Sequence, residues 1–439
     1  MSNGTTATAP LTAEPPNRSI EDGIYARVTR HWIPFLFFCY ICAYIDRANV
    51  GFAKLQMASD LKLSNTVYGI GAGIFFLGYF AFEVPSNIIM HRVGARRWIA
   101  RIMMTWGIIS GLMFFVRGEW SFYTLRFLLG VAEAGFFPGI ILYLTYWYPS
   151  TRRAKMVALF MLAVPVANIV GGLFSGWIMR AFDAIGGLPG WKWLFILEAV
   201  PSIVMALVVW NYLADNIRQC PWLKEDEKAL LEQNLQNDSK TVVKHSLGDA
   251  FGDSRVWLLV AMYFLLNIGQ YGMLFWIPTI IKAMGYQDTF RIGLLSDIPY
   301  VVAMVAMIVI SRSSDRHLER RWHLAIPATI SGLGLVAGTV FSGNPVVAMT
   351  GLSLGMAGLL GTIPTFWCLP SAFLGGVAAA AAIALINAIG SISGFVGPTF
   401  YGFMKDLTGS ANGAMYVFAF LGALGGFLAL LTPARLGKT

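Results

Sequence analysis

Charged residues are scarce in this chain of 439 residues, because Asp, Glu, Lys and Arg make up only 13% of it. A soluble domain usually carries about twice that share. Hydrophobic residues account for 56% of the chain, and the mean hydropathy is +0.63. An ordinary soluble fold is therefore excluded, and the composition predicts a membrane protein that crosses the bilayer many times.

Motifs of common enzymes are also scarce, since the sequence has no H-E-x-x-H and no phosphate-binding glycine loop. The single G-x-S-x-G match, GLSLG at 351–355, lies inside an apolar run and not at a strand-to-helix turn. The four cysteines, Cys39, Cys42, Cys220 and Cys368, form no disulfide framework. Cys39 and Cys42 lie within an apolar run, where they are expected to act as small apolar side chains. We expect no enzymatic activity, no cofactor and no metal site, and a membrane sensor is the alternative from another function class.

Long apolar runs are abundant. A span of the hydrocarbon core needs about 20 apolar residues, and twelve candidate runs are separated by short polar segments. They cover approximately 32–53, 66–90, 98–116, 121–147, 155–180, 191–213, 255–284, 290–311, 322–342, 345–369, 374–404 and 411–432. The sequence thus predicts an all-α membrane protein with twelve transmembrane helices.

The formal net charge of +9 does not indicate a nucleic-acid partner, because the basic residues gather in alternate loops. This asymmetry is typical of cytoplasmic loops and predicts that both termini are cytoplasmic, in the inner (plasma) membrane. The predicted segments are a disordered tail 1–28, a six-helix bundle 29–215, a cytoplasmic linker 216–252, a second six-helix bundle 253–433 and a tail 434–439. Within the linker we predict one amphipathic helix at about 224–237.

A repeated loop indicates an internal duplication. HRVGARRW, starting at His91, and DRHLERRW, starting at Asp315, both contain R-x-x-x-R-R-W, and the two copies are 224 residues apart. Each copy follows the second predicted span of its half. A tandem pair of six-span pseudo-repeats is therefore expected, with the cargo site at the interface between them.

These loops resemble the G-x-x-x-D-R-x-G-R-R signature of the major facilitator superfamily. The segments FEVPSN, RFLLGVAEAGFFPG, WKWLFILEAVPS and AAAAAIALINAIGSISGFVGP are similar to the anion:cation symporter family within it, whose members carry sugar acids, tartrate and phthalate. The resemblance implies a monomeric transporter with two rocking six-helix halves. One departure is His91, which stands where the superfamily usually has an acid, so the first loop is expected to lack one ion pair.

Among the charged residues in predicted spans, where each charge costs on the order of 2.5 to 3.5 kcal/mol, four are the most informative. Asp46 and Arg47 are about 21 Å into the first span, whereas Arg126 and Glu133 are about 7 and 18 Å into the fourth. Asp46 and Arg47 point about 100° apart, so each needs a partner elsewhere. Arg126 and Glu133 are two helical turns apart, and we predict that their shared face is a cavity wall.

The family resemblance implies roles for these four residues. Arg47 would bind the carboxylate of the cargo, Arg126 would help to hold the anion or an acid, and Asp46 and Glu133 would accept protons. The repeat offset places neutral residues at the equivalent positions of the second half. Residues expected to contact the body of the cargo are Tyr44, Tyr79, Gln270, Tyr271 and Asn387.

A second group of residues is expected to form gates on the cytoplasmic side. Glu83 lies near the arginines of the first loop and is expected to be a gate or cap partner. The other predicted gate residues are Arg92, Arg96, Arg97, Asp315, Arg316, Arg320 and Arg321. The role of Asp297 stays open between two interpretations, a group that contacts the cargo and an innocuous acid near the outer end of the eighth span.

The predicted function is import of a small organic anion by proton symport, through alternating access to a central site. Protons are the only coupling species expected. The cargo has at least one carboxylate, and a sugar acid, a tartrate-like acid and an aromatic acid all remain possible. An organic-anion exchanger or an uncoupled facilitator is the alternative within transport.

Overall fold

The protein was analysed as a computed structural model that describes residues 16–241, 252–371 and 376–432. Within these ranges the regular structure is helical without β-strands, and twelve helices are long and apolar enough to cross a membrane. The predicted all-α architecture is confirmed. The spans are Ile20–Asp60, Asn65–Val93, Ala95–Phe115, Glu119–Thr145, Ser150–Ala181, Gly190–Tyr212, Ser254–Leu274, Thr289–His317, Trp322–Val340, Pro345–Pro370, Ala382–Thr408 and Asn412–Leu431.

Several spans are assembled from more than one helix. The first consists of Pro16–Ala48 and Val50–Asp60, the fourth of Glu119–Glu133 and Phe136–Thr145, the fifth of Ser150–Met161 and Ala163–Ala181, and the tenth of Pro345–Phe366 and Cys368–Ser371. A short helix, Ile277–Ala283, follows the seventh span, and the helix of the eleventh begins at Gly376. The linker helix is Glu225–Thr241, close to its predicted position.

The starts of four spans are set by side chains that accept hydrogen bonds from backbone N–H groups at the helix N-terminus. Ser64 accepts from Val67 before the second span, and Asp253, Asp288 and Asn344 do the same before the seventh, eighth and tenth. These caps satisfy donors that have no partner within the helix.

The first helix begins at Pro16, so the predicted disordered tail 1–28 is wrong for its last thirteen residues. Ile24, Tyr25 and Val28 are buried, and Arg27 forms an ion pair of 2.9 Å with Glu227 of the linker helix. Apolar residues at helical spacing gain stability by packing, and this favours helix over coil. Residues 1–15, 242–251 and the predicted tail 434–439 lie outside the described residues.

The outer surface of the helices is apolar. Phe38, Val204, Leu333 and Phe420 are each about half or more exposed. An exposed apolar surface of this extent would be unfavourable in water, but it matches the hydrocarbon core of a bilayer.

The two six-helix halves pack against each other through two pairs of spans, the second with the eleventh and the fifth with the eighth. Glycines bring the backbones together: a Cβ on Gly69 would meet the carbonyl oxygen of Pro398, and one on Gly293 would meet that of Gly172. These contacts lie near the ends of the spans that are away from the chain termini. We call that side the far face and the other the terminal face.

A polar latch strengthens the closure of the far face. The carboxylate of Asp406, in the eleventh span, accepts hydrogen bonds from the backbone N–H groups of Asn65 and Thr66 at 3.2 and 2.7 Å. It also accepts from their side chains at 2.8 and 2.7 Å. Asp406 of one half thus caps the N-terminus of the second-span helix in the other half. The dipole of that helix adds to the attraction between its N-terminus and the carboxylate.

Replacing Asp406 with Asn should loosen the far face, because an amide presents one acceptor oxygen and no charge. Loss of about 1 to 2 kcal/mol of hydrogen bonding would increase the opened population roughly 5- to 30-fold. The measurement is the labelling rate of a Thr399→Cys reporter by a maleimide, compared with the reporter alone and with the exposed control Glu119→Gln. An unchanged rate in Asp406→Asn would show that the latch does not hold the far face closed.

Candidate functional site

A central cavity lies between the two halves, and six of the seven predicted cargo-contact residues line it. They are Tyr44, Arg47, Tyr79, Gln270, Tyr271 and Asn387. Gln270 and Tyr271 are the repeat equivalents of Asp46 and Arg47. The tandem pattern in the sequence therefore brings Arg47 and its counterpart Tyr271 to one cavity, on opposite walls.

Sequence reasoning missed the other twelve lining residues, five of which are aromatic. The additional residues are Tyr40, Phe76, Phe137, Met161, Val164, Tyr263, Asn267, Met307, Leu360, Ile363, Trp367 and Ser391. Helical spacing would have found several of them. Tyr40 precedes Tyr44 by four residues, and Ser391 follows Asn387 by four, so each lies on the face of a residue already predicted.

Arg47 is the one formally charged residue among the described residues that line the cavity. It donates a hydrogen bond from Nη2 to Oε1 of Glu133 and forms a buried ion pair with it. Its guanidinium also lies 4.9 Å from the ring centre of Tyr44 and 5.5 Å from that of Tyr79. Aromatic rings at this distance stabilise a desolvated cation without neutralising it.

Glu133 ends the first helix of the fourth span. The chain then turns at Gly135, whose φ of +88° lies in the left-handed region that favours glycine. A Cβ at this position would also collide with the Ser86 side chain. The acid that pairs with Arg47 is therefore held at a break in a helix, and its second oxygen, Oε2, has no hydrogen-bond partner among the described residues.

Asp46 points away from the cavity, as its 100° separation from Arg47 implies. Its carboxylate accepts hydrogen bonds from Trp106 Nε1 at 3.1 Å and Ser110 Oγ at 2.6 Å, both in the third span. Ser202 of the sixth span donates a third bond. Asp46 is fully buried, so it acts within its own half and not as part of the cavity lining.

Arg126 is not part of the cavity lining in this conformation. It is fully buried and donates to the backbone carbonyl oxygens of Gly71 and Ala72 at 3.3 and 3.0 Å. Its guanidinium faces the Phe75 ring at 5.1 Å. The predicted cavity wall shared by Arg126 and Glu133 is therefore not observed, because Arg47 stands between Glu133 and the cavity and the second span covers Arg126.

Glu83 does not pair with the first-loop arginines among the described contacts. Its carboxylate accepts a hydrogen bond of 2.8 Å from Asn387 Nδ2 of the other half. Asn387 lines the cavity. Glu83 therefore links the two halves through the eleventh span, and its expected part in a gate stays a prediction.

The described residues contain no group of three or more His, Cys, Asp or Glu side chains that could hold a metal ion. A central cavity, two helical halves and a single cationic lining residue are the features of a transporter. The sequence model of the major facilitator superfamily matches residues 36–398. The chain belongs to the major facilitator superfamily.

Superfamily relatives are similar over nearly the whole chain. A Pseudomonas putida protein provisionally named metabolite transport protein NicT is 47% identical and covers 94% of this chain and 95% of its own. An Agrobacterium vitis protein provisionally named a tartrate transporter is 45% identical over 92% of this chain and 93% of its own. The chain is therefore a membrane transporter and not an enzyme.

The superfamily fold also appears in a solved structure, a bacterial homologue of the human lysosomal transporter Spinster in an inward-facing and occupied conformation. It matches with a TM-score of 0.75 and 16% identity, covering 97% of this chain and 100% of that structure. At this identity the match supports the fold alone.

The two superfamily signature loops lie on the terminal face, and each holds its central arginine within its own half. Arg320 donates to Asp315 at 2.5 Å and to Ser314 at 2.9 Å. At the position equivalent to Asp315 the first loop has His91, and the acid near Arg96 is Asp215 instead, at 3.9 Å. Arg321 donates to the carbonyl of Leu430. Arg92, Arg97 and Arg316 are exposed.

Close packing of the second and fourth spans holds Arg126 and Glu133 in place, and a glycine makes it possible. A Cβ on Gly130 would overlap the carbonyl oxygen of Phe75, whereas one on Gly111 would make an ordinary contact of 3.5 Å. We expect Gly130→Ala to destabilise the protein by about 1 to 3 kcal/mol and to lower its melting temperature in detergent. Gly111→Ala is the matched control, and equal melting of the two variants would contradict this packing account.

Proposed function

We propose that this protein imports a small organic anion together with protons, by alternating access through rocking of its two halves. The observation that carries the proposal is the Arg47–Glu133 ion pair at the wall of the cavity. Glu133 competes with a cargo carboxylate for the same guanidinium. Protonation of Glu133 removes its negative charge, so the pair weakens and Arg47 becomes available to the anion.

In this scheme the proton gradient sets the direction of transport. A proton and an anion enter from one side, where protonated Glu133 leaves Arg47 free. On the other side Glu133 loses its proton, attracts Arg47 again and displaces the cargo. Asp46 is the second proton acceptor in this scheme, and it influences Arg47 as its neighbour in the chain.

The proposal extends to the membrane, the orientation, the oligomeric state and the partners of the protein. The positive charge of the terminal-face loops supports a cytoplasmic position of both termini in the inner (plasma) membrane. We propose that the monomer is the working unit, with the lipid bilayer and a carboxylate cargo as its partners and protons as the coupling ions. The curated relative named as a tartrate transporter supports a small organic acid as cargo.

An exchanger or an uncoupled facilitator is the second candidate. Asp46 accepts three hydrogen bonds and lies outside the lining of the cavity, as a purely structural carboxylate would. In that case the acids would only stabilise the helices and the gates. The two candidates differ in whether a pH gradient drives accumulation.

Uptake of labelled tartrate, galactonate, phthalate and benzoate into proteoliposomes with an acidic exterior distinguishes them. We expect the native protein to accumulate at least one of these acids. Asp46→Asn and Glu133→Gln should lose accumulation but keep exchange of cargo for cargo, because they remove proton binding only. Arg47→Ala should lose both activities, since it removes the carboxylate-binding group. Native uptake that ignores the gradient would favour the facilitator.

The aromatic lining favours an aromatic acid among the three cargo classes. The space beside Arg47 is surrounded by five aromatic rings, those of Tyr40, Tyr44, Phe76, Tyr79 and Tyr271. Offset stacking on such a ring stabilises the planar ring of a bound ligand by about 0.5 to 1.5 kcal/mol per contact. One carboxylate suffices for one accessible arginine. We therefore expect phthalate and benzoate to inhibit uptake of labelled cargo at lower concentrations than galactonate does. Stronger inhibition by galactonate would favour a sugar acid.

A further inference from the structure

A second, smaller cavity lies between the halves near the far face, separate from the cargo cavity. Its walls come from the first, fifth and eighth spans and from the break after the seventh. The lining residues used below are Asn49, Asn168, Ser175, Ser296 and Tyr300. Hydroxyl and amide side chains between transmembrane helices usually form hydrogen bonds with one another, and around a cavity they offer hydrogen-bonding groups to a polar species that enters it.

Glu198 of the sixth span is a buried acid that the scheme above does not use. It is 6% exposed, and its Oε1 accepts a hydrogen bond of 2.6 Å from Ser175 Oγ, which lines the second cavity. Its other oxygen, Oε2, and the buried amide of Asn49 have no partner within hydrogen-bond distance among the described residues, and the Asn49 amide faces the Glu198 carboxylate. Buried polar atoms without a close partner destabilise the fold, so their presence calls for an explanation.

The spacing of these residues joins Glu198 to Asp46. On the first span Asn49 follows Asp46 by three residues, and on the sixth span Ser202 follows Glu198 by four, so each pair shares a helix face. Ser202 already donates to Asp46. The four polar side chains therefore lie at two depths in the membrane. Asp46 and Ser202 share one depth, and Asn49 and Glu198 lie one helical turn nearer the far face.

We propose that Glu198 is a proton-relay residue, through which protons reach Asp46 from the far face by the second cavity and not by the cargo cavity. The inference rests on the proposed function. One proton passes from the Glu198 carboxyl to the Asp46 carboxylate, which already accepts a hydrogen bond from Ser202, one turn from Glu198 on the sixth span. The cavity walls formed by the seventh and eighth spans belong to the other half, so separation of the halves at the far face would expose this route.

The charged and titratable groups around Glu198 fit a relay and not an ion pair. Asp46 faces it from the first span, and Asp297 and Tyr300 face the second cavity region from the eighth, where the Asp297 carboxylate contacts Gly172. Within the described chain, neither Glu198 nor Asp297 forms an ion pair with a basic side chain. A fixed ion pair would have held the proton off Glu198 permanently.

The test compares Glu198→Gln with the conservative variant Glu198→Asp and the exposed control Glu119→Gln. Uptake of labelled tartrate, galactonate, phthalate and benzoate is measured with and without an acidic exterior, beside exchange of cargo for cargo. We expect Glu198→Gln to lose the accumulation driven by the gradient and keep exchange, Glu198→Asp to regain part of the accumulation, and Glu119→Gln to match the native protein.

Accumulation by Glu198→Gln at the native level would overturn the relay, and so would loss of exchange in both Glu198 variants, which would indicate a structural role. Native protein without accumulation driven by the gradient would overturn both the relay and proton symport. A second measurement needs no cargo: dicyclohexylcarbodiimide reacts with protonated carboxyls in apolar surroundings, and mass spectrometry locates the product. Labelling of Glu198 should increase from pH 8 to pH 6, and labelling independent of pH would contradict the proposal.

Discussion

The ion pair of Arg47 and Glu133 is the interaction on which the account depends. Both charges are buried, and such a pair contributes little to stability compared with apolar packing. Its value lies in being breakable, since one partner can lose its charge by protonation while the other cannot. The surrounding aromatic rings stabilise the Arg47 cation while Glu133 is neutral and no anion is bound.

The contacts between the two halves described above close the far face of the protein. Glycines at the contacts of the second with the eleventh span, and of the fifth with the eighth, let the backbones meet at the far face. The Asp406 latch adds hydrogen bonds at the same level. At the terminal face, by contrast, the described hydrogen bonds and ion pairs of the signature-loop arginines are formed within their own halves. A closure made of small residues and a few polar bonds can be undone without disturbing either six-helix core.

Much of this arrangement could be predicted from the sequence. Twelve apolar runs and the repeated R-x-x-x-R-R-W loop gave the spans and the two halves, because hydrophobic length and duplication are visible in a single chain. The separation of Asp46 from Arg47 followed from helical geometry alone. The lining by Tyr44, Tyr79 and Tyr271 was also within reach, since the repeat offset places Tyr271 opposite Arg47.

Other features depend on contacts between distant residues. Arg126 and Glu133 share one helix, Glu119–Glu133, as expected, but the second span packs over Arg126 and offers it backbone carbonyls. Glu83 accepts a hydrogen bond from Asn387 of the other half, a partner 304 residues away. Asp215 approaches Arg96 where His91 offers no acid. Pattern and spacing within one helix contain no information about such partners.

The most direct test of the central claim is binding of phthalate and benzoate to the purified protein, measured by calorimetry from pH 5.5 to 8.5. If Glu133 competes with the cargo for Arg47, native affinity should fall as the pH rises, because the deprotonated acid reclaims the guanidinium. Glu133→Gln should bind with an affinity that does not change with pH. Native affinity independent of pH, or an unchanged pH dependence in Glu133→Gln, would contradict the account.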